Sequence, residues 1–125
     1  MGETLQTIRE RRSVKSYKPD MIPEETLQKI VEAGTWAPSG MGRQSAIIVA
    51  VTNKELRDRL SRMNAKIMGT DMDPFYGAPV VLIVLADKTV PTHVYDGALV
   101  MENLMLAAQD LGIGSCWIHL SLIHI

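Results

Sequence analysis

From about Thr92 to Leu111 apolar residues recur at helical spacing, and they do not stop at one stripe. Ala98, Leu99, Val100, Met101, Leu104, Met105, Leu106, Ala107 and Ala108 cover most of the cylinder. A helix apolar nearly all round belongs in a core or an interface. Asp96, Glu102, Asn103, Gln109 and Asp110 make it too polar to cross a membrane.

The other segments alternate between helix-like and strand-like patterns with short joints. Leu5 and Ile8 are spaced for a short helix over Gly2–Arg12, which ends in Arg11-Arg12-Ser13. A second helix starts at Pro23, with Glu24 and Glu25 at the positive end of its dipole. Leu27, Ile30 and Val31 form its apolar face, and Gly34 lies near its end. Ala46–Val51 is a continuous apolar run that predicts a strand buried on both faces. Leu56, Leu60, Met63 and Ile67 predict a third helix with an apolar stripe. Gly69 to Gly77 reads as a loop, Pro79–Ala86 as a second buried strand, and Ser115–Ile118 as a third.

Composition narrows the function classes. The 125 residues are 46% hydrophobic and fit one domain with a real core. Thirteen basic against 14 acidic residues leave a net charge of −1, without the basic excess of a phosphate-neutralising nucleic-acid binder. One cysteine excludes an intrachain disulfide framework and a Cys-based zinc site. With no secretory signal pattern at the N-terminus, the expected location is the cytoplasm.

A few segments could carry chemistry. Arg11, Arg12, Ser13 and Lys15 place three cations and a hydroxyl at a helix exit, which suits a phosphate or the polar edge of a cofactor ring. A solvated helix end reads the same way. Pro38-Ser39-Gly40-Met41-Gly42 is either a joint between elements or a loop whose glycines let the backbone approach a ligand. Gly112 and Gly114 end a helix instead of opening one, so they read as a C-cap and not a dinucleotide fingerprint. His93 and His119 have no partners at metal-ligand spacing, and Cys116 reads as a small buried hydrophobe.

The order of these features carries more than any one of them. A helix ending in Arg11-Arg12-Ser13-Val14-Lys15 is followed by Trp36-Ala37-Pro38-Ser39-Gly40 and Gln44. Asp73-Pro74-Phe75-Tyr76-Gly77-Ala78-Pro79 comes next, then Ala107-Ala108-x-x-Leu111-Gly112-Ile113-Gly114-Ser115-Cys116-Trp117-Ile118. From about Glu3 to His119 the chain resembles the FMN-dependent nitroreductase family. It departs at Gly42, where the family often has Asn, and at Ser45-Ala46, where Pro and an aromatic residue are common.

The resemblance implies an α+β fold with a central sheet flanked by helices, assembled as a homodimer with FMN at the interface. By position, Arg11, Arg12, Ser13 and Lys15 would hold the phosphate, ribityl chain and pyrimidine edge of the flavin. Pro38, Ser39 and Gly40 would reach the FMN of the opposite subunit. Trp117, Ile118 and His119 would pass near the ring, with Asn64 a further contact, and the Tyr95–Leu111 helix would form much of the dimer interface. The implied activity takes hydride from NADH or NADPH and reduces a nitroaromatic, quinone or similar acceptor by a ping-pong mechanism, with no catalytic side chain required. A non-catalytic flavin-binding or storage module on the same fold, or an inactive fragment, would share these contacts. Leu120–Ile125 resemble a translated sequencing adaptor, so residues 1–119 are expected to be an incomplete flavin-binding domain without its last helix and strand. A genuine divergent terminus is the alternative.

Overall fold

The computed structural model describes residues 2–118. Four α-helices and two strands follow one another as α1 (Glu3–Glu10), α2 (Glu24–Thr35), β1 (Ala46–Val51), α3 (Lys54–Met68), β2 (Val81–Ala86) and α4 (His93–Asp110), with a 3-10 turn at Gly40–Gly42. Local chemistry sets the ends. The Asn53 side chain accepts the Leu56 N–H at 2.9 Å and caps α3, and Gly69, in the left-handed region at φ 73°, closes it. Gly112 adopts φ 76° after α4, which lets the Ile113 N–H reach back to the Ala108 carbonyl at 2.8 Å.

β1 and β2 pair antiparallel, with Ala46 opposite Ala86, Ile48 opposite Val84 and Val51 opposite Val81. α4 and α2 cover one face of this ribbon. Ile30, Val100, Leu104 and Ala108 form the buried cluster, and Ile48, Leu82 and Val84 pack against it from the strands. Burial of a side chain such as Leu104 contributes about 2 kcal/mol. The two helices also share a polar tie: the Asn103 amide donates to the Ala33 carbonyl at 3.0 Å. An α+β arrangement of sheet and helices is thus in place, as expected.

Three expectations need correction. β1 is not buried on both faces: Ile47 is 60% exposed and Leu85, its direct partner on β2, is 43% exposed. Helices cover only one side of the ribbon, so alternate residues face out. Ser115–Ile118 is not a strand; among the described residues it makes one isolated parallel bridge, Ser13 to Ser115. On α3 the buried positions are Arg57, Ser61 and Ala65, while Leu56, Met63 and Ile67 are exposed. A polar network centred on Arg57 and Asp73 turns that helix, and its apolar stripe points away. On α4, Val94, Tyr95 and Leu99 stand exposed in the single chain, on the side that its other elements leave uncovered. His119 and Leu120–Ile125 lie outside the described residues.

Candidate functional site

The chain leaves α1 at Arg11 with extended backbone (φ −55°, ψ 136°). The Arg12 guanidinium folds back and donates to the carbonyls of Arg9 and Arg11, at 2.8 and 2.9 Å, satisfying acceptors that a helix end leaves open. Arg11 points to α4, with Nε 3.7 Å from a Glu102 carboxylate oxygen. Lys15 is exposed and makes no ion pair among the described residues.

The segment after α1 fixes the neighbours of the basic turn. Ser13 bridges Ser115, and the Val14 N–H donates to the Ser115 carbonyl at 2.9 Å. This joins the turn to the segment carrying Trp117 and Ile118, about a hundred positions further along the chain. Gly114 makes the approach possible: a Cβ there would lie 3.0 Å from a Val14 methyl. Tyr17 belongs to the same neighbourhood. Burial, then the nearby Cys116 and Tyr76, push its phenol up to about 12.

A second region surrounds the 38–45 loop. The Gly40 N–H donates to Asp96 at 2.9 Å, the Ser45 hydroxyl to the other oxygen of the same carboxylate at 2.7 Å, and the Thr92 hydroxyl to that oxygen at 3.0 Å. Asp96 is 2% exposed, the most buried large side chain described. The Ser45 and Gly40 hydrogen bonds outweigh its desolvation and hold its carboxyl below the usual range, helped by Thr92 and His93. Gly40 must be glycine, since a Cβ would meet Thr92 atoms at 2.3–2.8 Å. Beside the loop lies a cleft of about 400 Å³, lined by Val31, Pro38, Ser39, Ser45, Ile47 and Asp96 among others.

A third network organises the 73–79 loop. Buried Arg57 donates from Nε to the Ala78 carbonyl at 2.7 Å, pairs with Asp73, and lies 5.5 Å from the Phe75 ring centroid. Asp73 also accepts from the Ser61 hydroxyl and from the N–H groups of Phe75 and Gly77. Desolvation pushes the Asp73 carboxyl up, but Arg57, Ser61 and these backbone donors outweigh it and hold it at about 2. Asn64, three residues beyond Ser61, is half-buried and donates its amide to the Leu60 carbonyl of its own helix at 2.8 Å.

Of the residues singled out in the sequence, the fold brings Arg11–Lys15 beside 115–118. Among the described residues no hydrogen bond or ion pair joins 11–15 to Pro38–Gly40, and the Asn64 amide bonds back to its own helix. Asp96, Ser45 and Thr92 were not among the expected site residues. The available signal is an acid in the first turn of a largely apolar helix, where no partner is visible from sequence.

With this geometry in place, comparison with known proteins is decisive. The profile of the Nitroreductase family matches residues 8–70 and 66–123. The chain belongs to the nitroreductase family. It is 32% identical over 123 residues to an Archaeoglobus fulgidus protein provisionally named NADH dehydrogenase/NAD(P)H nitroreductase, covering 94% of this chain and 68% of that one. A Methanothermobacter thermautotrophicus protein of the same provisional name is 28% identical over 124 residues, covering 92% and 60%. Among solved structures, a nitroreductase with bound FMN from Bacteroides fragilis superposes with a TM-score of 0.87 at 35% identity, covering 94% of this chain and 70% of that one. The chain thus spans 60–70% of the length of these relatives. No helix of its described residues is long and apolar enough to cross a membrane, and these residues contain no metal-ligating cluster of His, Cys, Asp or Glu.

Proposed function

We propose that this chain is the flavin-binding part of an FMN-dependent oxidoreductase, working as a homodimer with residues 1–119 as its flavin-binding unit. The observation that supports the reading is the Ser13–Ser115 bridge, which brings the 11–15 segment alongside the 115–118 segment. The donor set of residues 11–15 fits FMN: guanidinium and ammonium groups suit its phosphate and the carbonyl edge of its ring, and an apolar segment suits the ring itself. When bound, FMN would supply the two-electron chemistry by which hydride from NADH or NADPH reaches a nitroaromatic, quinone or similar acceptor in two separate half-reactions.

The protein's share is binding and orientation. Arg11, Arg12 and Ser13 would hold the phosphate and ribityl chain. Lys15, exposed and without an ion-pair partner among the described residues, is the cation free to face the pyrimidine edge and stabilise negative charge there. Trp117, Ile118 and His119 would border the ring, with Asn64 a further contact. Pro38, Ser39 and Gly40 would reach the flavin held by the second subunit.

The test is the visible spectrum of the purified chain, followed by anaerobic addition of NADPH or NADH. A yellow protein that bleaches, and recolours on adding a quinone, is the expected result. A yellow protein that never bleaches identifies a flavin-binding module without reductase activity. A colourless chain that takes up no added FMN overturns the reading.

A further inference from the structure

The 40–45 loop combines strain with a single anchor. Met41 (φ 54°), Gly42 (φ 67°) and Gln44 (φ 48°) all lie in the left-handed region, and two of them are not glycine. A non-glycine residue there is disfavoured, and such a conformation persists only where its surroundings over-determine it. Here the surroundings converge on one carboxylate. Gly40 enters the strained stretch and donates to Asp96 Oδ1, Ser45 leaves it and donates to Asp96 Oδ2, and the Thr92 hydroxyl completes the set. Within the loop the Gln44 N–H donates to Ser39 Oγ at 2.9 Å. Both ends of the strained segment are therefore fastened to a side chain that is 2% exposed, on the most deeply packed helix of the fold.

We infer that Asp96 is a positioning residue: it pins the 40–45 loop in its strained form and so presents Pro38, Ser39 and Gly40 ready-made to the flavin. The inference rests on the flavin-binding function proposed above. Its physical basis is preorganisation, since a loop already ordered loses little entropy when a ligand binds. The carboxylate acts as an acceptor and not through charge on the ligand. Asn in its place can accept from Gly40 with its oxygen and donate to both hydroxyls, which are free to rotate.

The experiment uses the full chain with FMN as the probe, following flavin fluorescence for affinity and hydrogen exchange of peptides spanning 38–46 for loop order. Asp96→Ala is expected to speed exchange in those peptides and weaken FMN binding by about tenfold or more, while exchange in α4 around Leu104 stays slow. Asp96→Asn is expected to restore both within about threefold. If Asp96→Ala does not fold, Ser45→Ala takes its place, with faster loop exchange and a smaller loss of affinity. Unchanged loop exchange and affinity in the variant that folds overturn the inference and leave the proposed function standing. Asp96→Asn as defective as Asp96→Ala also overturns it, because charge would then be what matters. A wild-type chain that binds no FMN overturns the proposed function itself, and the flavin role of Asp96 with it.

Discussion

Arg57 shows how one buried cation can override an apolar pattern. Its guanidinium holds Asp73 and the Ala78 carbonyl, so α3 must turn its polar side inward. Replacing it by Met leaves a half-buried carboxylate without its main partner. Breaking a fully buried pair costs about 3–5 kcal/mol, and with Asp73 partly solvated we expect Arg57→Met to cost about 2 kcal/mol in urea unfolding. The pair also sets an acid limit. Asp73 titrates at about 2 when folded against 3.8 as a free group, so the stability it contributes is present above pH 4 and disappears as pH falls towards 2. After discounting for solvent screening, about 1–2 kcal/mol should be lost over that range, and Asp73→Asn should flatten this part of the profile. Tyr17 titrates at the other extreme. Ultraviolet titration should reveal a phenol ionising near pH 12, and Tyr17→Phe should remove that late component.

Between elements, the contact of α2 and α4 carries the core. Leu104, 3% exposed, packs against Ile30 and the inner face of the ribbon. Leu104→Ala should destabilise by about 3 kcal/mol in denaturant unfolding. Gly34 is a sharper probe of how closely the layers approach. In a helix interior Ala is better than Gly by about 1 kcal/mol, so propensity alone predicts a gain. A Cβ at Gly34, however, would lie 2.7 Å from both Ile48 Cδ1 and Leu104 Cδ2. Leu104 sits in the buried core cluster, and overpacking of this kind costs about 1–3 kcal/mol. Gly34→Ala should therefore lower stability, and a rise in the urea midpoint would show that the layers can part.

At the scale of the whole molecule, much apolar surface is left uncovered. Ile47 and Leu85 stand out from the ribbon, and Tyr95 and Leu99 from α4. If the proposed homodimer uses the open side of α4, the chain sediments at twice its monomer mass, and Leu99→Glu shifts it towards the monomer. A variant that sediments like the wild type removes this face from the interface. The helices, the two strands and the basic turn were legible in the residues because each rests on local signals: periodicity, an Asn cap, a glycine past a helix end. The outward turn of α3, the open face of the ribbon and the reduction of 115–118 to one bridge were not legible. Periodicity states that a stripe is apolar but not which side a neighbour will cover. The candidate site divides in the same way. Arg11, Arg12, Ser13 and Lys15 declare their chemistry by residue type and spacing, whereas Asp96 shows in sequence only as a charge in an apolar helix. By itself the sequence determined the helices, the two strands, their order and the family. Only the tertiary structure decided which faces meet, that Ser13 lies beside Ser115, and that one carboxylate holds both ends of a strained loop. Partners in contact across tens of residues are selected by packing and hydrogen-bond satisfaction, and neither is written in local spacing.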